Sequence, residues 1–386
     1  MIPYGRQEIT QQDIDSVVDV LKSDYLTQGP MVPLFENKIK DVVCSDYAFA
    51  VNSATSALHI ACLSLGVGSG DLVWTSPITF VASANCALYC GADVDFVDIN
   101  PETYNLSVEK LEEKLAYHKA NNLRMPKVVI PVHLCGQPCE MKKVFELSKV
   151  YGFSIIEDAS HAIGGSYQGR AIGSCEYSDL TVFSFHPVKI ITTAEGGVVT
   201  TNDEGLAKKI ELLRTHGITR DPSQMVSESH GGWYYEQVAL GYNYRMTDIQ
   251  AALGLSQLKR LDENIERRNK LAQQYDLMLE GLPLTIPKQH FDAYSARHLY
   301  VILLELHKIK LTHEEVFAAL RDAQIGVNVH YIPVYTQPYY RNLAFNYNEC
   351  PNADTYYSKA ISIPLFHAMT NNEQEKVVGA IKLVLE

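Results

Sequence analysis

Lys189 is the single lysine in the stretch TVFSFHPVKIITTAEGG, held between an apolar β-branched run and the Val198–Thr201 run that follows. A lysine amine attacks a carbonyl only as the free base, which desolvation and neighbours must supply by lowering its pKa. Ser184, on the strand-to-turn edge upstream, offers a hydroxyl to an anion, and Gly196 and Gly197 let backbone pass close to a ligand. Alone, the stretch fits a solvated loop lysine beside a Gly-Gly turn better. Partners elsewhere in the chain must decide.

Three other positions offer such partners. Asp158 closes the apolar run Ser154-Ile-Ile and precedes Ala-Ser-His161; it reads equally as a helix cap or as a carboxylate facing a ring nitrogen, with His161 one turn on. Ala54-Thr55-Ser56 lies at a strand-to-helix turn, where free N–H groups, hydroxyls and the helix dipole suit a phosphate, although ordinary capping is the simpler use. Phe80 could lay its ring on a flat ligand or fill a core. Together they supply an anchor, a partner for a pyridinium, a stacking face and an imine-forming amine, the set needed to hold pyridoxal phosphate. A dinucleotide site is the rival within this architecture, but no G-x-G-x-x-G follows the first strand.

The elements that must position these residues alternate. Strand signals at 47–51, 72–75, 94–97, 128–132 and 154–156 are separated by helical patterns at 52–65, 80–89, 107–119 and 140–151, with Ser107 as a cap. Continuously apolar strands joined by helices predict a mostly parallel sheet covered on both faces, with ligands beyond the carboxyl ends of the strands. Ahead of them, 10–22 reads as a helix with Thr10 as N-cap and Asp13 at the capping-box position, then a DYLTQG loop, then a helix over 33–43. Beyond Val198–Thr201 come a helix at 204–216, an aromatic loop over 217–241, and one long helix from Thr247 to about Leu279. A strand (299–304), a helix (312–323), a strand (327–331) and helices near 352–359 and 371–385 complete the chain. The division expected is a large domain over 1–260 and a smaller C-terminal α/β domain over 261–386.

A net charge of −12, from 33 basic and 45 acidic residues, argues against binding nucleic acid or an anionic membrane, since neither has a clustered cationic surface to meet it. MIPYGRQEIT lacks the basic and apolar regions of a leader and no run reaches the length of a membrane span, so a cytoplasmic protein is expected. The eight cysteines lack paired spacing; Cys86/Cys90 and Cys135/Cys139 read as buried free thiols, and no metal site is expected.

Over essentially its whole length the sequence resembles the DegT/DnrJ/StrS sugar aminotransferases of fold type I. The resemblance rests on Leu26-Thr-Gln-Gly-Pro30, Asn52-Ser-Ala-Thr-Ser-Ala-Leu58, Pro131-Val-His-Leu-Cys-Gly136, Glu157-Asp-Ala-Ser-His-Ala162, Ser184-Phe-His-Pro-Val-Lys189, Gly241-Tyr-Asn-Tyr-Arg-Met246 and His330-Tyr331. It implies that Lys189 bonds covalently to pyridoxal phosphate, that Asp158 keeps the ring nitrogen protonated, and that His161 lies by the phenolic oxygen. Ala54, Thr55, Ser56 and Ser184 would form the phosphate cradle, joined by Asn243 from the partner subunit of a homodimer, with Phe80 against the ring. The variants at Asn52–Leu58 and Ile191–Gly197 look most like the subgroup of pseudaminic acid biosynthesis. That subgroup uses L-glutamate, by way of pyridoxamine phosphate, to aminate C4 of a UDP-linked 4-keto-6-deoxy sugar. Tyr4, Asp24, Tyr25, Leu26, Thr27, Asn328, Val329, His330 and Tyr331 align with its nucleotide-sugar contacts. Other UDP- or dTDP-linked keto sugars are the nearest rivals. Related 3-dehydratases carry histidine in place of the lysine, and a non-catalytic sensor of the same fold would bind cofactor without transferring an amine.

Overall fold

The computed structural model describes residues 1–343 and 349–385. Strands β1 (Tyr47–Val51), β2 (Leu72–Thr75), β3 (Asp93–Phe96), β4 (Val128–Ile130) and β5 (Ser154–Asp158) are followed by a small hairpin, β6 (Ser166–Tyr167) and β7 (Arg170–Ala171). Then come β8 (Leu180–Ser184) and β9 (Gly197–Thr201). Seven of them form one sheet in the order β1-β9-β8-β5-β4-β2-β3. The run from β8 to β3 is parallel, whereas β9 is antiparallel to both neighbours.

Helices α1 (Gln11–Leu21), α2 (Met31–Val43), α3 (Ala54–Ser64), α4 (Ala82–Tyr89), α5 (Val108–Ala120), α6 (Met141–Tyr151), α7 (Glu204–Arg214), α8 (Asp248–Leu258) and α9 (Leu261–Met278) cover this sheet and lead away from it. Strand alternation divides its side chains between two cores. Val128, Ile130, Ile156 and Val182 pack with α3 and α4, while Val129, Ile155 and Phe183 pack with residues of α2, α5 and α8 on the other face.

The aromatic loop expected over 217–241 contains a two-residue ribbon, β10 (Ile218–Thr219) with β11 (Glu236–Gln237). Beyond α9, β12 (Leu284–Thr285), β14 (Tyr300–Leu304) and β15 (Ala360–Ile363) make an antiparallel sheet, and β13 (Ala293–Tyr294) joins β6. With α10 (His313–Asp322), α11 (Pro338–Arg341), α12 (Pro351–Tyr357) and α13 (Asn371–Leu385), these complete the described α-helices and β-strands. A third core joins residues of α9, α10, α13, β14 and β15, with Ile2 packed against it and bridged to Ile325.

Two expectations are corrected here. The long helix from Thr247 to Leu279 is two helices, because the chain turns at Lys259–Arg260 and Asn264 N–H restarts the helical pattern on Arg260 O. Val327–Tyr331 is no strand; it makes one bridge, Asn328 to Ser362. The α1 capping box of Thr10 and Asp13 is present, and Asp13 also accepts from Arg260 at 2.9 Å. Asp248, fully buried at the start of α8, accepts from Gly29 and Met31 N–H at 2.8 and 2.7 Å and so caps α2 from a distance. No described helix is long and apolar enough to cross a membrane.

Candidate active site

A cavity of about 560 Å³ opens at the carboxyl ends of β5 and β8. Its lining brings Lys189, Asp158, His161, Ser184, Ala54, Thr55 and Phe80 together with Tyr4 and Asn328–Tyr331. The loop that carries Lys189 is pinned at both ends. Phe185 N–H donates to Gly196 O, Thr193 N–H to Phe185 O, and Lys189 N–H to His186 O. Burial pushes the Lys189 amine down to about 8, against the pull of the Asp158 carboxylate in the opposite direction.

Asp158 faces this cavity because it follows Glu157 on a strand, and neighbours on a strand point to opposite sides. Glu157 is spent on the far side, where Ser178 and Thr181 hydroxyls donate to it and His133 Nε2 lies 2.7 Å away. Since Cys139 N–H donates to His133 Nδ1, the His133 proton sits on Nε2 and points at Glu157. Asp158 accepts from Ser83 Oγ at 2.6 Å and from Ser160 N–H at 3.1 Å. Its main chain is locked as well, donating to Pro131 O and accepting from His133 N–H.

His161 is buried among Lys189, His298 and His330, and burial drives its pKa well below 6.5, so the ring is neutral. Cys135 N–H donates to its Nδ1, which places the proton on Nε2, 3.2 Å from the Tyr331 hydroxyl. The site therefore offers a fixed carboxylate, a neutral N–H donor and an amine titrating near neutrality.

At the other end of the cavity, Ser53 caps α3 and accepts from Ser56 N–H. Among the described residues the amides of Ala54 and Thr55 have no acceptor, so a helix N-terminus is left open to an anion. Gly197 makes the approach possible. A Cβ there would lie 2.7 Å from Ala54 N and Ser53 C, so only glycine lets β9 abut this turn.

The sequence pattern of the DegT/DnrJ/EryC1/StrS aminotransferase family matches residues 7–382. The chain belongs to that family. A UDP-4-amino-4,6-dideoxy-N-acetyl-beta-L-altrosamine transaminase of Campylobacter jejuni is 40% identical over 388 residues, covering 100% of this chain and 98% of the relative. Helicobacter pylori PseC, an aminotransferase of pseudoaminic acid biosynthesis, superposes with a TM-score of 0.90 at 30% identity over 100% and 99% of the two chains. The PLP form of Spr1654 of Streptococcus pneumoniae gives 0.87 at 30% identity over 99% and 98%. As a DegT/DnrJ/EryC1/StrS aminotransferase the protein is a sugar aminotransferase of fold type I, and its cofactor is pyridoxal phosphate.

The residues of this chain fit that cofactor. Open amides at the start of α3 and the Ser184 hydroxyl suit a phosphate, Asp158 suits a protonated ring nitrogen, and the Phe80 ring, 60% exposed, is bare toward the cavity. Other positions lie elsewhere. Ser56 is turned inward, its hydroxyl donating to Asn52 Oδ1 at 2.7 Å, and Ser53 takes the place in the lining that the sequence suggested for it. Asp24, Tyr25, Leu26, Thr27 and Asn243 are exposed and line no part of this chain's cavity. Sequence reasoning missed Ser53, Thr79, Ser83, Ser160, Glu195 and His298. Of the missed lining residues, only Ser53 carried a signal, as a serine just ahead of a helix.

Proposed function

We propose that the protein transfers the amino group of L-glutamate to C4 of UDP-2-acetamido-2,6-dideoxy-β-L-arabino-hex-4-ulose, giving UDP-4-amino-4,6-dideoxy-N-acetyl-β-L-altrosamine and 2-oxoglutarate. One observation carries amine transfer: a single cavity holds the Lys189 amine, the Asp158 carboxylate and the neutral His161 ring. The Campylobacter relative supports the choice of sugar.

When bound, pyridoxal phosphate supplies an aldehyde that takes up the amine and a protonated ring that draws electrons from the adjoining C–H bond. Asp158 would hold the proton on the ring nitrogen. His161 Nε2–H would donate to the phenolic oxygen, while Ser53, Thr55, Ser184 and the α3 amides would hold the phosphate. Lys189 Nζ takes the proton from Cα of glutamate and, in the return half of the reaction, delivers one to C4 of the sugar. Burial, which lowers its pKa from the ordinary lysine value, favours the free base that the first of these transfers needs.

Among the described lining residues Lys189 is the only lysine or arginine, so little on this chain answers a diphosphate or the carboxylates of glutamate. In our reading a second copy completes the site, with its Asn243 reaching the phosphate and its exposed Asp24–Thr27 stretch reaching the sugar nucleotide. The active unit is then a cytoplasmic homodimer, divided into domains at 260/261. Incubation with glutamate and a panel of UDP- and dTDP-linked 4-keto and 3-keto sugars, read by product mass and NMR, tests this. Turnover confined to the L-arabino substrate is expected. Preferential amination of a D-configured 4-keto or a 3-keto sugar would overturn the substrate assignment, and no amine transfer to any of them would overturn the activity.

A further inference from the structure

The turn that enters α4 places two hydroxyls behind the Asp158 carboxylate. Thr79 and Ser83 are 2% and 1% exposed, and their hydroxyls lie 2.7 Å apart. Ser83 Oγ has one proton and three candidate acceptors, Asp158 Oδ2 at 2.6 Å, Thr79 Oγ1 at 2.7 Å and Phe80 O at 3.3 Å. The charged acceptor at the shortest distance takes it. The Thr79 hydroxyl must then donate to Ser83 Oγ. Every proton in this chain points toward the carboxylate, and Ser160 N–H holds its other oxygen. Phe80 sits between the two hydroxyl residues, so one turn delivers the stacking ring and the support of the acid.

We propose that Ser83, oriented by Thr79, is a positioning residue that fixes the Asp158 carboxylate in plane and keeps it anionic toward the cofactor's ring nitrogen. The inference rests on the proposed role of Asp158. Losing the Ser83 hydroxyl would leave a buried carboxylate short of one charge-assisted donor, and the ring proton would be drawn toward it.

The test uses enzyme loaded with ¹⁵N-labelled pyridoxal phosphate in wild type, Ser83→Ala, Ser83→Thr and Asp158→Asn, reading the ring-nitrogen chemical shift, cofactor affinity by equilibrium dialysis, and kcat and KM for glutamate. For Ser83→Ala the shift is expected to move part-way from the protonated toward the neutral value. kcat should fall about tenfold while KM stays within about twofold. Ser83→Thr keeps the hydroxyl and should restore most of both. A wild-type shift in Ser83→Ala, with any activity loss tracking a lowered melting temperature, would overturn the proposal, and so would equal defects in Ser83→Ala and Ser83→Thr. Should Asp158→Asn also leave the shift protonated, the role of Asp158 fails first, and the failure is assigned there.

Discussion

The Lys189 amine titrates near 8 in this structure, against 10.5 for a free lysine. At pH 7 it is therefore free base in about one molecule in eleven, where an ordinary lysine would be so in roughly one in three thousand, a gain of about 300-fold in reactive amine. Burial lowers the value and the Asp158 carboxylate pulls it up. The sign of a perturbation follows. Asp158→Asn removes the opposing charge and keeps the burial, so the titration midpoint should fall, by roughly one pH unit. Competitive labelling of cofactor-free protein with a trace of acetic anhydride, across a pH series, reads this directly from the peptide containing Lys189. The wild-type profile should turn near 8 and that of Asp158→Asn below it. A wild-type midpoint near 10, or a variant midpoint unchanged or raised, would refute the reasoning, because the amine would then be solvated or beyond reach of the carboxylate.

The same displaced titration has a stability consequence. The unfolded chain binds the Lys189 proton up to about 10.5 and the folded chain only to about 8, so wild type gains stability as pH rises through that window. Cofactor-free Lys189→Met lacks this gain, and the gap between the two proteins in urea melts should narrow by roughly 1–2 kcal/mol between about pH 7 and about pH 9.5; a constant gap would contradict the assignment. Gly197→Ala presses a methyl into backbone at Ser53 and Ala54 and should cost about 1–3 kcal/mol in a melt while weakening cofactor binding in a fluorescence titration. Unaltered cofactor affinity would separate this strand from the anion cradle. Asp248→Ala orphans two amides at the start of α2 and should cost about 1–3 kcal/mol by the same melt, leaving the Lys189 labelling profile in place.

Much of the site was legible because its residues follow strands. Asp158 and Ser184 end apolar runs, and the period of two that sends Glu157 inward sends Asp158 to the ligand side. Ser56 was misleading. A serine at the third position of a helix looks like part of a phosphate cradle, yet with Ser53 as the cap its hydroxyl folds back on Asn52. Ser83 left no trace in the sequence, since a serine within a small-residue helix is indistinguishable from packing until its acceptor is in view. Among the elements, the α8–α9 break carries no glycine or proline, so the helical period runs through it. Val327–Tyr331 has the composition of a strand but forms a β-bridge only at Asn328, while His330 and Tyr331 bond through side chains and a single carbonyl instead. Two-residue strands such as β6 and β7 are too short to show any period at all.

The reversed direction of β9 sets how the nucleophile is tethered. A parallel successor to β8 would need a crossover of a dozen or more residues, usually a helix, and the amine would ride on an element with its own packing. Because β9 runs antiparallel beside β8, the twelve residues 185–196 need no crossover over the sheet face and form a loop stapled to adjacent rails of the sheet. Two helices bear on the same loop from outside, since the Phe185 ring packs edge-on against Phe35 of α2 and Gln250 of α8 donates to Glu195 O, so the aim of the amine is shared between the sheet and these helices while the others are free to diverge in sequence.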